Sequence, residues 1–416
     1  MKSWVEISEE RLTDNYRALT KVAGADMAVL AVVKANAYGH GVEVCAPVLA
    51  RAGAKWLGVT DAAEGIAVRE ALAAAGLADA AQPGLLVMCG LLAEDAEAIV
   101  EHGLTPVVWE RQQIEWLGAA VRRRGAKPLA VHLEIDTGMA RQGVAVGSEL
   151  RALLRWLGTQ KDIRVDGVMT HFASAEVAGA ALTRTQQARF EEALRAVGEA
   201  GLRPAWVHAG NSSTVDNDVA DGGSLVWLRG VAGSVGARAM VRTGIGLYGY
   251  CLPIERAGEA DSLLDVQPQV RAGLQPVMTW KTRVIGLREV GVGDTVGYNA
   301  TFVAERPMRL ALVPVGYADG LRRELSSTNS QAGGWMMLHG KRAAMVGRVS
   351  MNLTVVDVTE IPSVHIGDEV VVLGDGVTAE DHARLAGTIA YEIVCGVRAD
   401  SRLVHAESFA PARADR

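Results

Sequence analysis

The chain is poor in cysteine, has no excess of basic charge and lacks a long apolar run. Its four cysteines, Cys45, Cys89, Cys251 and Cys395, stand far apart, with no Cys-x-x-Cys pair. That spacing excludes a zinc ribbon and a disulfide framework, and fits a reducing compartment. The formal net charge is -6, so there is no electrostatic footprint for nucleic acid. The longest apolar stretch, near 84–93, is about half of the ~20 residues that span a bilayer. The opening residues carry Glu6, Glu9 and Glu10 instead of a basic segment followed by an apolar one, so no signal peptide is expected. A cytoplasmic protein with neither nucleic acid nor membrane as partner is expected.

What is present is a rhythm. Hydrophobic residues make up 49% and charged residues 22% of 416 residues, a globular composition long enough for two domains. Short apolar runs at 28–33, 56–59, 84–88, 104–109, 129–135, 164–169, 205–208 and 239–242 alternate with Ala-rich helical segments. Eight strand–helix repeats within about 250 residues predict a (β/α)8 barrel. A doubly wound sheet is the competing fold, but no Gly-x-Gly-x-x-Gly follows the first strand. After a connector at 252–265, Gly-Asp turns at 293, 367 and 374 punctuate strand-like stretches at 277–287, 295–303, 309–315, 342–346, 353–358 and 369–373. The expected fold class is therefore α/β: an N-terminal barrel at 1–250, its first few residues free to pair with the second domain, then a mostly β domain at 251–416. The Pro-Ala-Arg tail at 410–416 is expected to fray.

Taken singly, the polar residues at strand ends have ordinary readings. Lys34 ends the run of the first strand, where a barrel delivers side chains to its mouth. Such a lysine either extends its amine to water or, desolvated, serves as a nucleophile. His171 reads as a structural histidine, Arg242 as a rim ion pair, and Asn211-Ser-Ser213 as a helix cap. Tyr298 reads as a strand tyrosine with a wet hydroxyl, and Met351 as core packing. Four far-apart cysteines and no His/Cys cluster leave no metal site to propose.

The strings around these residues narrow the choice. Ala31-Val-Val-Lys-Ala-Asn-Ala-Tyr-Gly-His-Gly41 resembles the pyridoxal-phosphate lysine motif of alanine racemases. The resemblance runs in order along residues 31 to 394. It includes Val131-His-Leu-Glu-Ile-Asp-Thr-Gly-Met-Ala-Arg141, Thr170-His-Phe172, His208-Ala-Gly-Asn-Ser-Ser213 and Val241-Arg-Thr-Gly-Ile-Gly-Leu-Tyr-Gly249. In the second domain it takes in Val296-Gly-Tyr-Asn-Ala-Thr301, Val315-Gly-Tyr-Ala-Asp-Gly320, Gly347-Arg-Val-Ser-Met351 and Thr388-Ile-Ala-Tyr-Glu392.

The resemblance implies a racemase of L- and D-alanine that supplies D-alanine for peptidoglycan. It implies pyridoxal 5'-phosphate carried on Lys34, which is also the base for the D-enantiomer, with Tyr298 the base for the L-enantiomer. Tyr298 and the Met351 N–H would come from the partner of a homodimer. Arg242 would face the pyridine nitrogen, with His171 beside it and on the ring. Tyr38, Asn211, Ser212, Gly244, Ile245 and Tyr391 would hold the cofactor, chiefly its phosphate, and Arg141 would lie near the substrate carboxylate. Glu134 stands where the family often has a lysine that becomes carbamylated, and is expected to hydrogen-bond Arg141, directly or through water. Thr243 replaces a frequent proline and Asn352 a frequent aspartate. The alternatives are a broad-specificity amino-acid racemase of the same fold, a decarboxylase of related architecture, and a non-catalytic cofactor-binding barrel. The last lacks a second β domain.

Overall fold

The computed structural model describes residues 2–77, 82–218, 223–256 and 267–405. The tail at 410–416 and most of the connector lie outside the described residues.

Eight parallel strands, Met27–Val32, Trp56–Val59, Gly84–Val87, Thr105–Val108, Leu129–Asp136, Ile163–Met169, Trp206–His208 and Arg238–Thr243, pair in chain order. The last pairs with the first, Ala239 opposite Met27 and Thr243 opposite Ala31, which closes the barrel. All eight coincide with the apolar runs of the sequence. Strands covered on both sides need apolar residues throughout, and Leu30, Leu57, Leu85, Val107, Leu133, Val168, Val207 and Met240 are essentially inaccessible. The helices between them are amphipathic and locally capped. Asp61 accepts from the Glu64 N–H at 2.9 Å to start Ala62–Ala74, and left-handed Gly125 ends Arg111–Arg124.

The chain divides into two compact units. One is Thr13–Ala37 with Val42–Leu274, which holds the barrel; the other is Met1–Leu12, Tyr38–Gly41 and Gln275–Arg416. In the second unit Ser3–Ser8 lies between Met278–Arg283, antiparallel, and Ser401–His405, parallel, within a six-stranded sheet. Gly286–Val290, Met308–Val313 and Thr354–Asp357 form a separate three-stranded sheet.

Two expected strands of this unit are broken. The stretch 277–287 is two strands, because Val284 and Ile285 turn the chain from one sheet to the other. The stretch 295–303 is interrupted by a turn at Tyr298–Ala300, where Asn299 (φ 61°) and Ala300 (φ 47°) are left-handed and cannot continue a strand. Trp335–Leu338, the hairpin partner of Lys341–Ala344, and Ser401–His405 are strands the sequence pattern did not mark; the latter pairs with Ser3–Ser8, a neighbour remote in sequence.

Candidate active site

Lys34 follows the first barrel strand and is half-buried. The residues after it, Ala35 to Tyr38, all sit near φ 53°. A run of non-glycine residues in this left-handed region costs roughly 1–2 kcal/mol each, and such strain persists only where surroundings over-determine it. Here they do. Glu64 Oε1 accepts from the Ala35 N–H at 2.7 Å, while its Oε2 accepts from Thr60 N–H at 2.8 Å. Asn36 Oδ1 accepts from Val42 N–H at 2.8 Å, and Ala37 N–H returns to the Val33 carbonyl at 2.8 Å. Lys34 is thus launched from a stiff, anchored turn.

Arg242, on the eighth strand, is 4% exposed and makes three hydrogen bonds within the barrel. Its Nη2 donates to the Thr170 carbonyl at 2.8 Å and to His171 Nδ1 at 3.0 Å; its Nη1 donates to His208 Nδ1 at 3.0 Å. Burial lowers its pKa to about 10, so it is still a cation at neutral pH. Burial, then the positive charges of Arg242, Arg141 and Lys34, lower His171 to about 3. His171 is therefore neutral and accepts from Arg242, the pairing expected from the sequence.

Past the seventh strand, Asn211 caps the helix Ser212–Asp216 by accepting from Thr214 N–H at 3.1 Å. Ser212 Oγ accepts from the N–H groups of Gly244 and Gly246, both at 3.1 Å. This joins the loops after the seventh and eighth strands, and Ile245 is buried between those two glycines. The adjacent Ser213 hydroxyl is buried with no hydrogen-bond partner among the described residues. A buried orphan hydroxyl is costly unless something else satisfies it. Its place, beside backbone N–H groups at barrel loops seven and eight, suits a phosphate.

In the second unit Tyr38 and Tyr391 have ring centroids 6.0 Å apart. Burial, then Tyr391 and Cys395, push the Tyr38 phenol up, so it remains an O–H donor. Tyr298 is 66% and Met351 57% exposed. The Met351 loop is pinned from below: Tyr317 N–H donates to the Ser350 carbonyl at 3.1 Å and Ala318 N–H to the Met351 carbonyl at 2.9 Å. The Gly-Tyr-Ala-Asp-Gly string has a structural reason here. A Cβ on Gly316 would lie 2.1 Å from the Ser350 carbonyl oxygen. Asp319 binds Gly316 N–H at 2.8 Å and accepts from Asn352 Nδ2 at 3.2 Å.

The family described as alanine racemase, N-terminal domain, matches residues 7–252, and alanine racemase, C-terminal domain, matches 277–405. The chain belongs to the alanine racemase family. An alanine racemase of Syntrophobacter fumaroxidans is 36% identical over 95% of both chains, and one of Halothermothrix orenii is 33% identical over 95% of this chain and 94% of its own. Among solved structures, the alanine racemase of Streptomyces coelicolor is 31% identical with a TM-score of 0.84, covering 98% of each chain. A Bartonella henselae alanine racemase with covalently bound pyridoxal phosphate, 24% identical, shares the fold at a TM-score of 0.78.

The alanine racemase resemblance led to the expectation that Glu134 hydrogen-bonds Arg141, directly or through water. Glu134 makes no direct hydrogen bond to Arg141 among the described residues. Its carboxylate, 2% exposed, accepts from Gln142 Nε2, which also donates to the Met88 carbonyl at 2.8 Å. The physical reason is reach: Glu134 is a short side chain held inside the strand, whereas Arg141 is exposed. Asp136 accepts from the N–H groups of Gly138, Met139 and Ala140 at 2.9–3.1 Å and closes that loop. Burial raises the Glu134 pKa, opposed by Gln142 and then by the charges of Arg242 and Arg141.

Sequence reasoning also missed His208, His132 and Glu64. The first two carried a signal: polar residues at alternate positions of an otherwise apolar strand point into the barrel. Glu64 looked like an ordinary helix residue.

Proposed function

We propose that this protein interconverts L- and D-alanine with pyridoxal phosphate and does so as a homodimer. The observation that carries the reading is Arg242: a buried guanidinium, held by two neutral histidines, at the end of the eighth barrel strand. Lys34 Nζ supplies the amine that holds the cofactor, and the Ser213 hydroxyl, with Ser212, Ile245 and the Asn211 cap, fits the phosphate. Tyr38 and Tyr391 supply further phenolic donors. When bound, pyridoxal phosphate withdraws electrons from the substrate Cα and makes its proton labile.

The protein then decides where protons go. Lys34 removes or returns a proton on one face of Cα, and Tyr298 on the other; inversion needs one base per face. Arg242 stays protonated, so it donates a hydrogen bond and does not hand over a proton. That restrains electron withdrawal and disfavours side reactions. Arg141 and the Met351 N–H orient the substrate carboxylate. The exposure of Tyr298 and Met351, 66% and 57%, supports their delivery to the site of a second copy.

The test is incubation of the reconstituted protein with L-alanine, with D-alanine followed to equal amounts of both enantiomers. Serine, lysine and arginine run in parallel to separate an alanine enzyme from a broad-specificity racemase. Absence of D-alanine from the holoprotein would defeat the assignment. For the dimer, Lys34→Ala and Tyr298→Ala chains are refolded together. Shared sites restore up to about a quarter of parental activity, since half of the dimers carry one intact site; sites built within one chain restore none.

A further inference from the structure

His132 and His208 are both fully buried in the barrel, and the chemistry above uses neither directly. Their hydrogen bonds run in one direction only. A guanidinium has donors and no acceptor, so His208 Nδ1, 3.0 Å from Arg242 Nη1, is bare. A neutral His208 then carries its one proton on Nε2. His132 Nδ1 lies 2.8 Å from that nitrogen and must accept. The proton of His132 is thereby left on its own Nε2, which is buried without a partner among the described residues. Burial lowers the pKa of both rings, His132 to about 3, so neither becomes a cation that would reverse the order.

The barrel makes room for this ring. Gly167 is directly opposite His132 in register, and a Cβ there would lie 2.5 Å from His132 Nδ1. The two strands shift register between Val131 and His132. Trp56 packs against it, ring centroids 5.4 Å apart. An orphan N–H in the core is uncommon and calls for a compensating reason.

We propose that His132 is a positioning residue: its Nδ1 fixes the His208 proton on Nε2 and so keeps Arg242 oriented as a hydrogen-bond donor. Without that acceptor the His208 N–H loses its partner, and the other tautomer would aim N–H against N–H at Arg242. The kinetic arm rests on the racemase reading; the structural arm does not.

Neutron diffraction from holoprotein crystals grown in D2O reads the proton positions. Deuterium on Nε2 of both rings and on neither Nδ1 is expected; deuterium on either Nδ1 overturns the proposal. In the kinetic arm, His132→Leu lowers kcat about tenfold in both directions with KM within about twofold. His132→Asn, whose amide oxygen can accept, recovers most of it. A leucine variant as fast as the parent, or an asparagine variant no better than leucine, counts against the role. Should the leucine chain fail to fold, the neutron map decides alone. A parent without racemase activity but with the deuterium pattern as drawn would sink the racemase reading and leave the relay standing.

Discussion

The barrel interior and the exposed loops of the β unit treat their polar groups in opposite ways. Arg242, His208, His132 and Glu134 are buried and hydrogen-bonded in a fixed order, whereas Tyr298 and Met351 stand largely in solvent. The contrast teaches a division of labour. A cation that tunes a bound ring acts most strongly where the dielectric is low and its geometry is locked. On the proposed reading, a proton-exchanging phenol and a backbone donor offered to a second copy must instead protrude. The rigidity beneath Met351 lies in the turn at Gly316 to Asp319, and the rigidity behind Lys34 in the left-handed turn held by Glu64.

The largest effect on this comparison comes from Lys34→Ala. Turnover should fall by at least about 10⁴-fold with either enantiomer, together with loss of covalently held cofactor in the visible spectrum; retention of either would break the barrel assignment. Tyr298→Phe comes next. It should lower turnover roughly 10²- to 10⁴-fold yet leave cofactor binding unchanged, and proton exchange at Cα from L-alanine should suffer more than from D-alanine. Equal loss on both sides would remove the facial distinction. Gly316→Ala forces a Cβ against the Ser350 carbonyl and should raise KM for alanine roughly tenfold, with a smaller change in kcat, because a small misplacement of an orienting group is costly. Steady-state kinetics of that variant separate a pinned loop from an indifferent one.

A separate effect, on stability and not on turnover, is pH dependence. His132 and His171 protonate only near 3 when folded and His208 well below 6.5, against 6.5 for an ordinary histidine. The unfolded chain therefore binds more protons as pH falls below 6.5, and the folded state loses stability down through that window. Each such histidine contributes about 1.4 kcal/mol per pH unit. The β unit has a milder counterpart in His382, lowered to about 4 by burial. Calorimetric Tm should drop between pH 6.5 and 5, and His382→Gln should remove only one proton's share of the slope. A flat Tm would show that the barrel histidines take up protons freely.

Much of the fold was legible because buried parallel strands must be apolar from end to end, and all eight barrel strands announced themselves so. The β unit was less legible, since its strands alternate and pair with remote partners: Ser401–His405 acquires its identity only beside Ser3–Ser8. Within the site, the His171–Arg242 contact followed from motif order. A direct Glu134–Arg141 hydrogen bond, one of the two forms expected, is absent among the described residues, because side-chain reach and loop closure are set by neighbours such as Gln142 and Asp136.

By itself the sequence determined the barrel, the family and the residue types available at each strand end, since apolar periodicity and motif order are local properties of the chain. The tertiary structure alone decided which nitrogen of His208 meets Arg242, which carboxylate stiffens the Lys34 turn, and which groups are buried or exposed. Those outcomes depend on residues many positions apart meeting at hydrogen-bond distance, and no local pattern encodes a distance.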